Sequence, residues 1–229
     1  MKKSHAIGIL SAAALTYSVA PTYAHKLCHR LRRPSADSRT LYLTFDDGPD
    51  PHYTPELLDL LDQYDIKASF FVVARFAQQN PALLHRMQRS GHLIGLHSLC
   101  HKNGMLQPPH DAFQDFAQAV DILHHLGVPV RYYRPPWGHW NVVSLAQLHR
   151  FRMKPVLWDV MAQDWRADIT APEIAARLIG RTAGGDIVCL HDGRGKDGAP
   201  ARTIVALRRV LPYCLAHGYR FDTVDHRDE

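Results

Sequence analysis

The chain of 229 residues is 46% hydrophobic, an ordinary fraction for a globular protein, and is long enough for one domain with a sizeable core. Its formal net charge of +5 is concentrated at one end: residues 1–36 hold six Lys or Arg side chains and no acidic one, which leaves a net charge of −1 on the other 193 residues. A nucleic-acid-binding domain needs a basic face, so this distribution argues against a nucleic-acid partner.

The first 24 residues have the pattern of a targeting segment. Two lysines precede an uncharged, mostly apolar stretch over residues 6–20, and Thr22-Tyr23-Ala24 offers small residues at the −3 and −1 positions of a cleavage site. Residues 6–24 are only just long enough to cross a membrane, so we expect residues 1–24 to be a cleaved signal peptide or an uncleaved anchor. Either fate predicts a secreted or membrane-anchored protein of the cell envelope. Basic residues are more numerous after the apolar stretch, which favours the cytoplasmic side for that flank, so the side that the domain faces stays open.

Residues 25–38 are predicted to be a basic linker, after which strand and helix patterns alternate. Seven strands are predicted, over residues 41–45, 68–73, 92–96, 130–133, 155–160, 186–190 and 219–224. Helices are predicted between them, starting at Thr54-Pro55, Asn80-Pro81, Asp111, Asn141, the capping box Thr170–Glu173, and Arg202. This alternation predicts right-handed βαβ units around a parallel sheet or barrel, in one domain over residues 39–229.

Two adjacent carboxylates, Asp46 and Asp47, end the first predicted strand, where Gly48-Pro49 stops it. Such a pair is costly unless a cation or a proton lies between the two groups, so it suggests a metal site with one carboxylate to spare. Polar residues also follow later strands, namely His97, Arg134, Asp159, Asp164 and His191. The carboxyl ends of the strands carry the active site in βα barrels, so these residues are predicted to share one site.

His97 and His101 are four residues apart, which would place both imidazoles on one face of a helical turn, within reach of one metal ion. A carboxylate from the first strand would complete a set of two histidines and one aspartate, which is typical of a catalytic rather than a structural metal site. The same set is found in non-haem iron oxygenases, which stay an alternative, although such an enzyme has no use for a second carboxylate as a base.

Five short motifs resemble, in order, those of the polysaccharide deacetylases, the NodB-homology class or carbohydrate esterase family four. They are Thr44-Phe45-Asp46-Asp47-Gly48, His97-Ser98-x-x-His101, Arg134-Pro135-Pro136-Trp137-Gly138, Asp164-Trp165 and Leu190-His191-Asp192. Each motif is weak alone, but five in sequence are specific, and the resemblance spans residues 39–226. It implies an α/β fold, a distorted, incomplete (β/α) barrel of about seven parallel strands.

The resemblance also implies a reaction and the residues that perform it. The substrate would be an acetylated polysaccharide, either peptidoglycan or a chitin-like polymer, whose acetamide is hydrolysed to an amine and acetate by a monomeric enzyme. Asp47, His97 and His101 would hold a divalent metal, expected to be zinc, with cobalt or manganese as alternatives.

Further roles follow from the same resemblance. Asp46 would be the base and Arg134 would orient it, while the backbone N–H of Trp137 would stabilise the oxyanion. His191 would protonate the departing amine with Asp164 aligning its ring, and Leu190 and Trp165 would form the slot for the acetyl methyl group.

One departure from the family pattern concerns position 161, where the fourth motif usually has an aspartate and this chain has Met161. We expect altered activity rather than loss, because Asp164-Trp165 is intact.

Two alternative functions stay open: an esterase that acts on O-acetyl groups, and a non-hydrolytic carbohydrate-binding relative. Cys189 and Cys214 fall in apolar runs and are expected to be small buried residues.

Overall fold

Parallel strands form the centre of the structure, a computed structural model that describes residues 12–31 and 39–227. The strands in this part of the chain are β1 (Thr40–Asp46), β2 (Ser69–Val72), β3 (Leu93–Leu96), β4 (Tyr132–Tyr133), β5 (Lys154–Pro155), β6 (Val160–Met161), β7 (Ile187–His191) and β8 (Arg220–Phe221). Their order is β5-β4-β3-β2-β1-β7-β6, with β8 beside the first residues of β1, and every pairing is parallel. This half-barrel confirms the predicted incomplete (β/α) barrel in a single domain.

The strand predicted over residues 155–160 is instead two short strands on opposite edges of the sheet. Lys154 in β5 pairs with Tyr132 in β4, whereas Val160 in β6 pairs with Val188 in β7. Pro155 has no N–H group to donate to a ladder, which helps to end β5 after two residues. The segment between β5 and β6 therefore runs from one edge of the half-barrel to the other.

Helices surround the sheet, and those that follow β1 cover its outer face. They are α1 (Ala20–Leu31), α2 (Thr54–Gln63), α3 (Ala74–Gln79), α4 (Pro81–Arg89), α5 (Pro109–His125), α6 (Val142–Phe151), α7 (Ala171–Arg181) and α8 (Ala199–Ala216). The predicted capping box is present at the start of α7, where Thr170 N donates to Glu173 Oε2 over 2.8 Å. The main hydrophobic core lies between these helices and the sheet.

Side-chain alternation along β1 places polar groups inside the barrel. Leu41, Leu43 and Phe45 pack in the main core beneath the helices. Tyr42 belongs to a smaller apolar cluster on the other face of the sheet. Because successive strand residues point to opposite faces, Thr44 and Asp46 also face the interior of the barrel.

The N-terminal segment is helical and contacts the barrel. Residues 15–19 form a π-helical stretch that leads into α1, and Thr22 in α1 is almost fully buried. Within residues 12–31 and 39–227, no helix has the length and apolar character needed to cross a membrane. Residues 1–11 and 32–38, parts of the predicted signal peptide and linker, lie outside the described residues, and the signal peptide or anchor stays a prediction.

Candidate active site and metal centre

Asp47, His97 and His101 lie together at the carboxyl end of the sheet. Asp47 follows β1 and His97 follows β3. The two histidines lie in a loop and not on the predicted helical turn, because His101 has a left-handed φ of 56°. Asp47 Oδ1 lies 2.9 Å from His101 Nε2 and 3.4 Å from His97 Nε2. One ligand atom from each residue lies within 4.8 Å of the others, which suits a single metal ion.

The chemical state of these three side chains fits a divalent metal. Asp47 Oδ1 is a buried oxygen with no hydrogen-bond partner among the described residues. Burial opposes ionisation of Asp47, but the nearby rings of His101 and His97 hold its pKa well below the usual range. Burial also lowers the pKa of His101, which favours the neutral, ligating form of its ring. His97 Nδ1 lies 2.7 Å from the Arg134 carbonyl oxygen, which leaves Nε2 to face the site.

Asp46 lies beside this centre and is held by Arg134. Arg134 Nη1 donates to Asp46 Oδ1 over 2.7 Å, and both side chains are buried. The other oxygen, Asp46 Oδ2, lies 4.0 Å from His97 Nε2 and 3.4 Å from Cys189 Sγ. One carboxylate oxygen is thus bound to a fixed cation, while the other faces the predicted metal ligands.

Neutral groups complete the surroundings of Arg134. Its guanidinium donates to Thr44 Oγ1 over 2.7 Å and to the carbonyl oxygens of Val156 and Leu157 over 3.4 and 3.1 Å. The ring of Phe71 lies 4.2 Å from the guanidinium carbon. With Met161 in the fourth motif, Asp46 is the one carboxylate bonded to Arg134 among the described residues.

His191 and Asp164 form a second pair across from Asp46. His191 Nδ1 lies 2.9 Å from Asp164 Oδ1, so its Nε2 is turned away from Asp164. Burial would lower the pKa of His191, but the Asp164 carboxylate outweighs it and raises that pKa to about 9. Ligating atoms of His191, Asp46 and Cys189 lie within 4.8 Å of one another, so the acid and base candidates share one pocket.

Two aromatic side chains line the opening of the site. The Trp137 ring packs edge-on against His101 with 4.3 Å between ring centroids, and Trp165 lies 5.7 Å from His191. Both indoles are partly exposed, at 49% and 37%, which leaves them free to contact a sugar ring. Trp137 has a left-handed φ of 56° in the tight turn of the third motif.

The structure does not bring Leu190 into the site. Leu190 pairs with Phe45 and is fully buried in the core beneath the helices. Alternation along β7 gives the reason, because Cys189 and His191 on either side of Leu190 face the interior of the barrel. The prediction that Leu190 forms the acetyl slot is therefore wrong, and Cys189 occupies the inward position.

Asp159 also lies outside the site. It bonds to the amide of Ile187, the first residue of β7, whereas His191 is the last. Its carboxylate also lies 3.0 Å from His29 Nε2 and 2.9 Å from Arg227 Nη2. Asp159 precedes β6 instead of ending the predicted strand, which places it at the amino end of the sheet.

Several supporting residues were missed from the sequence. Asp115 Oδ1 accepts the amide of Leu99 over 3.0 Å and so braces the loop that carries both histidines. Thr203 Oγ1 donates to Asp164 Oδ2 over 2.9 Å. Asp115 and Thr203 are polar residues within the apolar faces of α5 and α8, a signal that could have identified them.

Asp192, in the fifth motif, supports the loop after β1. It accepts a 2.6 Å hydrogen bond from Thr54 Oγ1, and a Cβ atom at Gly48 would overlap its carboxylate. Burial raises the pKa of Asp192 to about 7. Gly48 is thus required by close packing immediately after Asp46 and Asp47.

Comparison with known proteins agrees with this arrangement. The family model described as polysaccharide deacetylase matches residues 33–156. The chain is 31% identical to a chitooligosaccharide deacetylase of Azorhizobium caulinodans, over 82% of this chain and 93% of the relative.

Two solved structures share the fold. The Bc1960 peptidoglycan N-acetylglucosamine deacetylase, solved with a hydroxamate-type ligand, superposes with a TM-score of 0.77 at 27% identity, over 85% of this chain and 90% of that one. A family 4 acetyl xylan esterase from Clostridium thermocellum, solved with a cobalt ion, has a TM-score of 0.73 at 30% identity, over 82% of this chain and 89% of that one. By its motifs, fold and sequence relatives, the chain belongs to the polysaccharide deacetylase family.

Proposed function

We propose that the protein is a metal-dependent hydrolase that removes acetyl groups from N-acetylated sugars of a polysaccharide of the peptidoglycan or chitin type. The observation that carries the proposal is that Asp47, His97 and His101 lie together beside a pocket shared by the Asp46–Arg134 pair and the His191–Asp164 pair. Amide hydrolysis needs a base for water and an acid for the departing amine, and these two pairs supply them.

Asp47, His97 and His101 would hold the divalent metal, for which we propose zinc, with cobalt or manganese as alternatives. When bound, the metal would polarise the acetyl carbonyl and lower the pKa of a water molecule toward about 7. The cobalt ion in the Clostridium thermocellum relative supports a divalent metal for this family without identifying the one used here.

The protein's own residues perform the proton transfers. Asp46 accepts the proton of the attacking water through Oδ2, because Oδ1 is engaged by Arg134. The backbone N–H of Trp137 stabilises the negative charge that develops on the acetyl oxygen. His191 donates a proton from Nε2 to the amine as the C–N bond breaks, since Asp164 holds Nδ1. Trp165 contacts the acetyl methyl group.

An O-acetyl esterase is the second candidate, and the 30% identity to an acetyl xylan esterase favours it. The His191–Asp164 pair argues for the amide, because an amine is a poorer leaving group than a sugar hydroxyl and depends more on protonation. A non-haem iron oxygenase would not need a second carboxylate as a base, which is the role proposed for Asp46 beside Arg134. We propose the cell envelope as the site of action and a monomer as the active form.

Acetate release separates these candidates. Metal-free enzyme is reloaded with zinc, cobalt, manganese or iron and incubated with N-acetylglucosamine oligomers, peptidoglycan and O-acetylated xylan. We expect acetate from an N-acetylated substrate with zinc or cobalt. Acetate from xylan alone would establish the esterase, no acetate from any substrate would support the binding relative, and iron- and O₂-dependent turnover would establish the oxygenase.

A further inference from the structure

The N-terminal helix contacts the two loops that carry the centre of the site. Ser18 Oγ lies 3.3 Å from the carbonyl oxygen of Met105, in the loop that follows His101. Thr22 Oγ1 donates to the carbonyl oxygen of Trp140 over 3.1 Å and accepts the Trp140 amide over 2.8 Å. Trp140 lies three residues after Trp137, in the loop that follows β4.

These contacts form one continuous face of the helix. His25 stacks on the Trp140 indole with 4.7 Å between ring centroids, and His29 pairs with Asp159 over 3.0 Å. Together with Ser18 and Thr22, the contacts recur at the spacing of a single helical stripe. Ser18 and Thr22 are 2% and 1% exposed, which is the burial expected of structural residues.

The loop beneath the helix is tightly packed. Gly138 has a left-handed φ of 65°, and a Cβ atom there would lie 3.1 Å from the Trp158 ring and 3.4 Å from Lys26 Cε of the helix. The two active-site loops are also joined to each other, because Asn141 Nδ2 donates to the Gly104 carbonyl oxygen over 2.8 Å. The helix therefore completes a three-way contact with both loops.

We propose that residues 12–31 are a permanent part of the folded enzyme and that Thr22 is a positioning residue for the loop that presents Trp137. This proposal excludes both predicted fates of the segment, since cleavage after Ala24 would remove Ser18 and Thr22, and a membrane anchor over residues 6–24 would withdraw them from the two loops. Its activity readout, though not its structural readouts, rests on the proposed deacetylase function.

The physical reason lies in the backbone of Trp140, which is fully buried. Without the Thr22 hydroxyl, the Trp140 amide and carbonyl groups would be buried with no partner among the described residues, a state that a loop relieves by moving. A shift of about 1 Å in a group that acts on the transition state can lower a rate about 100-fold. Substrate binding depends far less on such a shift, so the effect should fall on kcat.

The test uses T22V and T22S in the full chain, with T16V as the matched control because Thr16 is exposed and bonds only to its own helix among the described contacts. We expect T22V to lower kcat for acetate release at least tenfold with KM and metal content unchanged. T22S, which keeps the hydroxyl, should restore kcat to within about threefold, and T16V should match the wild type. Wild-type kcat in folded T22V would overturn the proposal.

Two further measurements do not depend on activity or on the folding of a variant. The intact mass of the folded protein purified from its producing cells should be that of a chain that still contains Thr22; a folded form that begins at His25 would overturn the proposal. In the wild type, the Trp140 amide should be protected from hydrogen exchange, and rapid exchange there would also overturn it. If the wild type releases no acetate but both results hold, the proposed reaction fails while the structural role of the helix stands.

Discussion

Arg134 and Asp46 form a buried ion pair in which Nη1 and Oδ1 are 2.7 Å apart. The guanidinium makes its other hydrogen bonds to the Thr44 hydroxyl and to two backbone carbonyl oxygens. Within the described part of the chain, the positive charge of Arg134 is thus directed at a single carboxylate, and Met161 replaces the acidic residue usual in the fourth motif. Carbonyl and hydroxyl oxygens accept the remaining hydrogen bonds of the guanidinium.

Arg134→Lys should lower the stability of the protein as well as its activity. A lysine keeps the charge but cannot reach Asp46 and the carbonyl oxygens of Val156 and Leu157 at once, which leaves buried acceptors unpaired. We expect the free energy of unfolding to fall by about 3 kcal/mol, measured by urea denaturation. Arg208→Lys, at an exposed pair with Glu56, is the control and should change it by less than about 0.5 kcal/mol.

Substitutions of Asp46 and Asp47 should have different effects on catalysis and on metal binding. Asp47→Ala should lose both bound metal and activity, because Asp47 supplies one of three ligands. Asp46→Asn should keep the metal and lose activity by about 100-fold or more, the usual effect of removing a general base. Metal content by elemental analysis and acetate release give the two readouts, and Asp121→Asn on the surface of α5 should change neither. A fully active Asp46→Asn enzyme would refute the assignment of the base.

Metal removal should lower thermal stability through the same three residues. A ligand that binds only the folded state stabilises it, by about 2.7 kcal/mol at 100 times its Kd. Adding zinc to chelated enzyme should therefore raise the Tm of the wild type and of Asp46→Asn, but not of His101→Ala. An equal rise in His101→Ala would place the metal elsewhere.

Sequence patterns predicted the parallel βα architecture and most of the residues that meet in the site, because each follows a strand whose apolar pattern is clear. Asp159 and Leu190 show the limits. The role of Leu190 is implied by the motif resemblance, whereas alternation along β7 turns its side chain into the core. Asp159 is predicted to end one strand, but that strand is two short strands on opposite edges of the sheet, and Asp159 precedes the second. The short strands β5 and β6 lack the length to show alternation. The contacts of Thr22 and His25 with Trp140 span more than 110 residues, so no local pattern reports them.

Leu190 and Cys189 can be told apart by the kind of damage that their substitution causes. Leu190→Ala should cost about 2–5 kcal/mol of folding free energy, as for other large-to-small core changes, and leave kcat and KM of the folded enzyme within about twofold. Cys189→Ala should cost less stability but change kcat, since Sγ lies 3.4 Å from Asp46 Oδ2. The reverse result would return Leu190 to the acetyl slot.

Asp164→Asn should move the alkaline limb of the activity profile to lower pH. His191 must be protonated to act as an acid, so kcat should fall as pH rises through its pKa of about 9, or through a lower value when a divalent cation is bound nearby. Asp164 is the main cause that raises this pKa, and its removal should shift the limb toward the usual range for histidine near 6.5. The stability of the folded protein should also fall at high pH. The contribution of the His191–Asp164 pair to the free energy of unfolding is complete below about pH 6.5 and is lost as pH rises through about 9.

Thr203→Val is the matched variant for this test. Thr203 donates to the other oxygen of Asp164, so its loss leaves the charge of the carboxylate in place and changes only its orientation. We expect Thr203→Val to lower kcat with a much smaller shift of the alkaline limb than Asp164→Asn. Profiles of kcat against pH from 5 to 10 would decide the matter: an Asp164→Asn limb that coincides with that of the wild type would mean that His191 is not the acid.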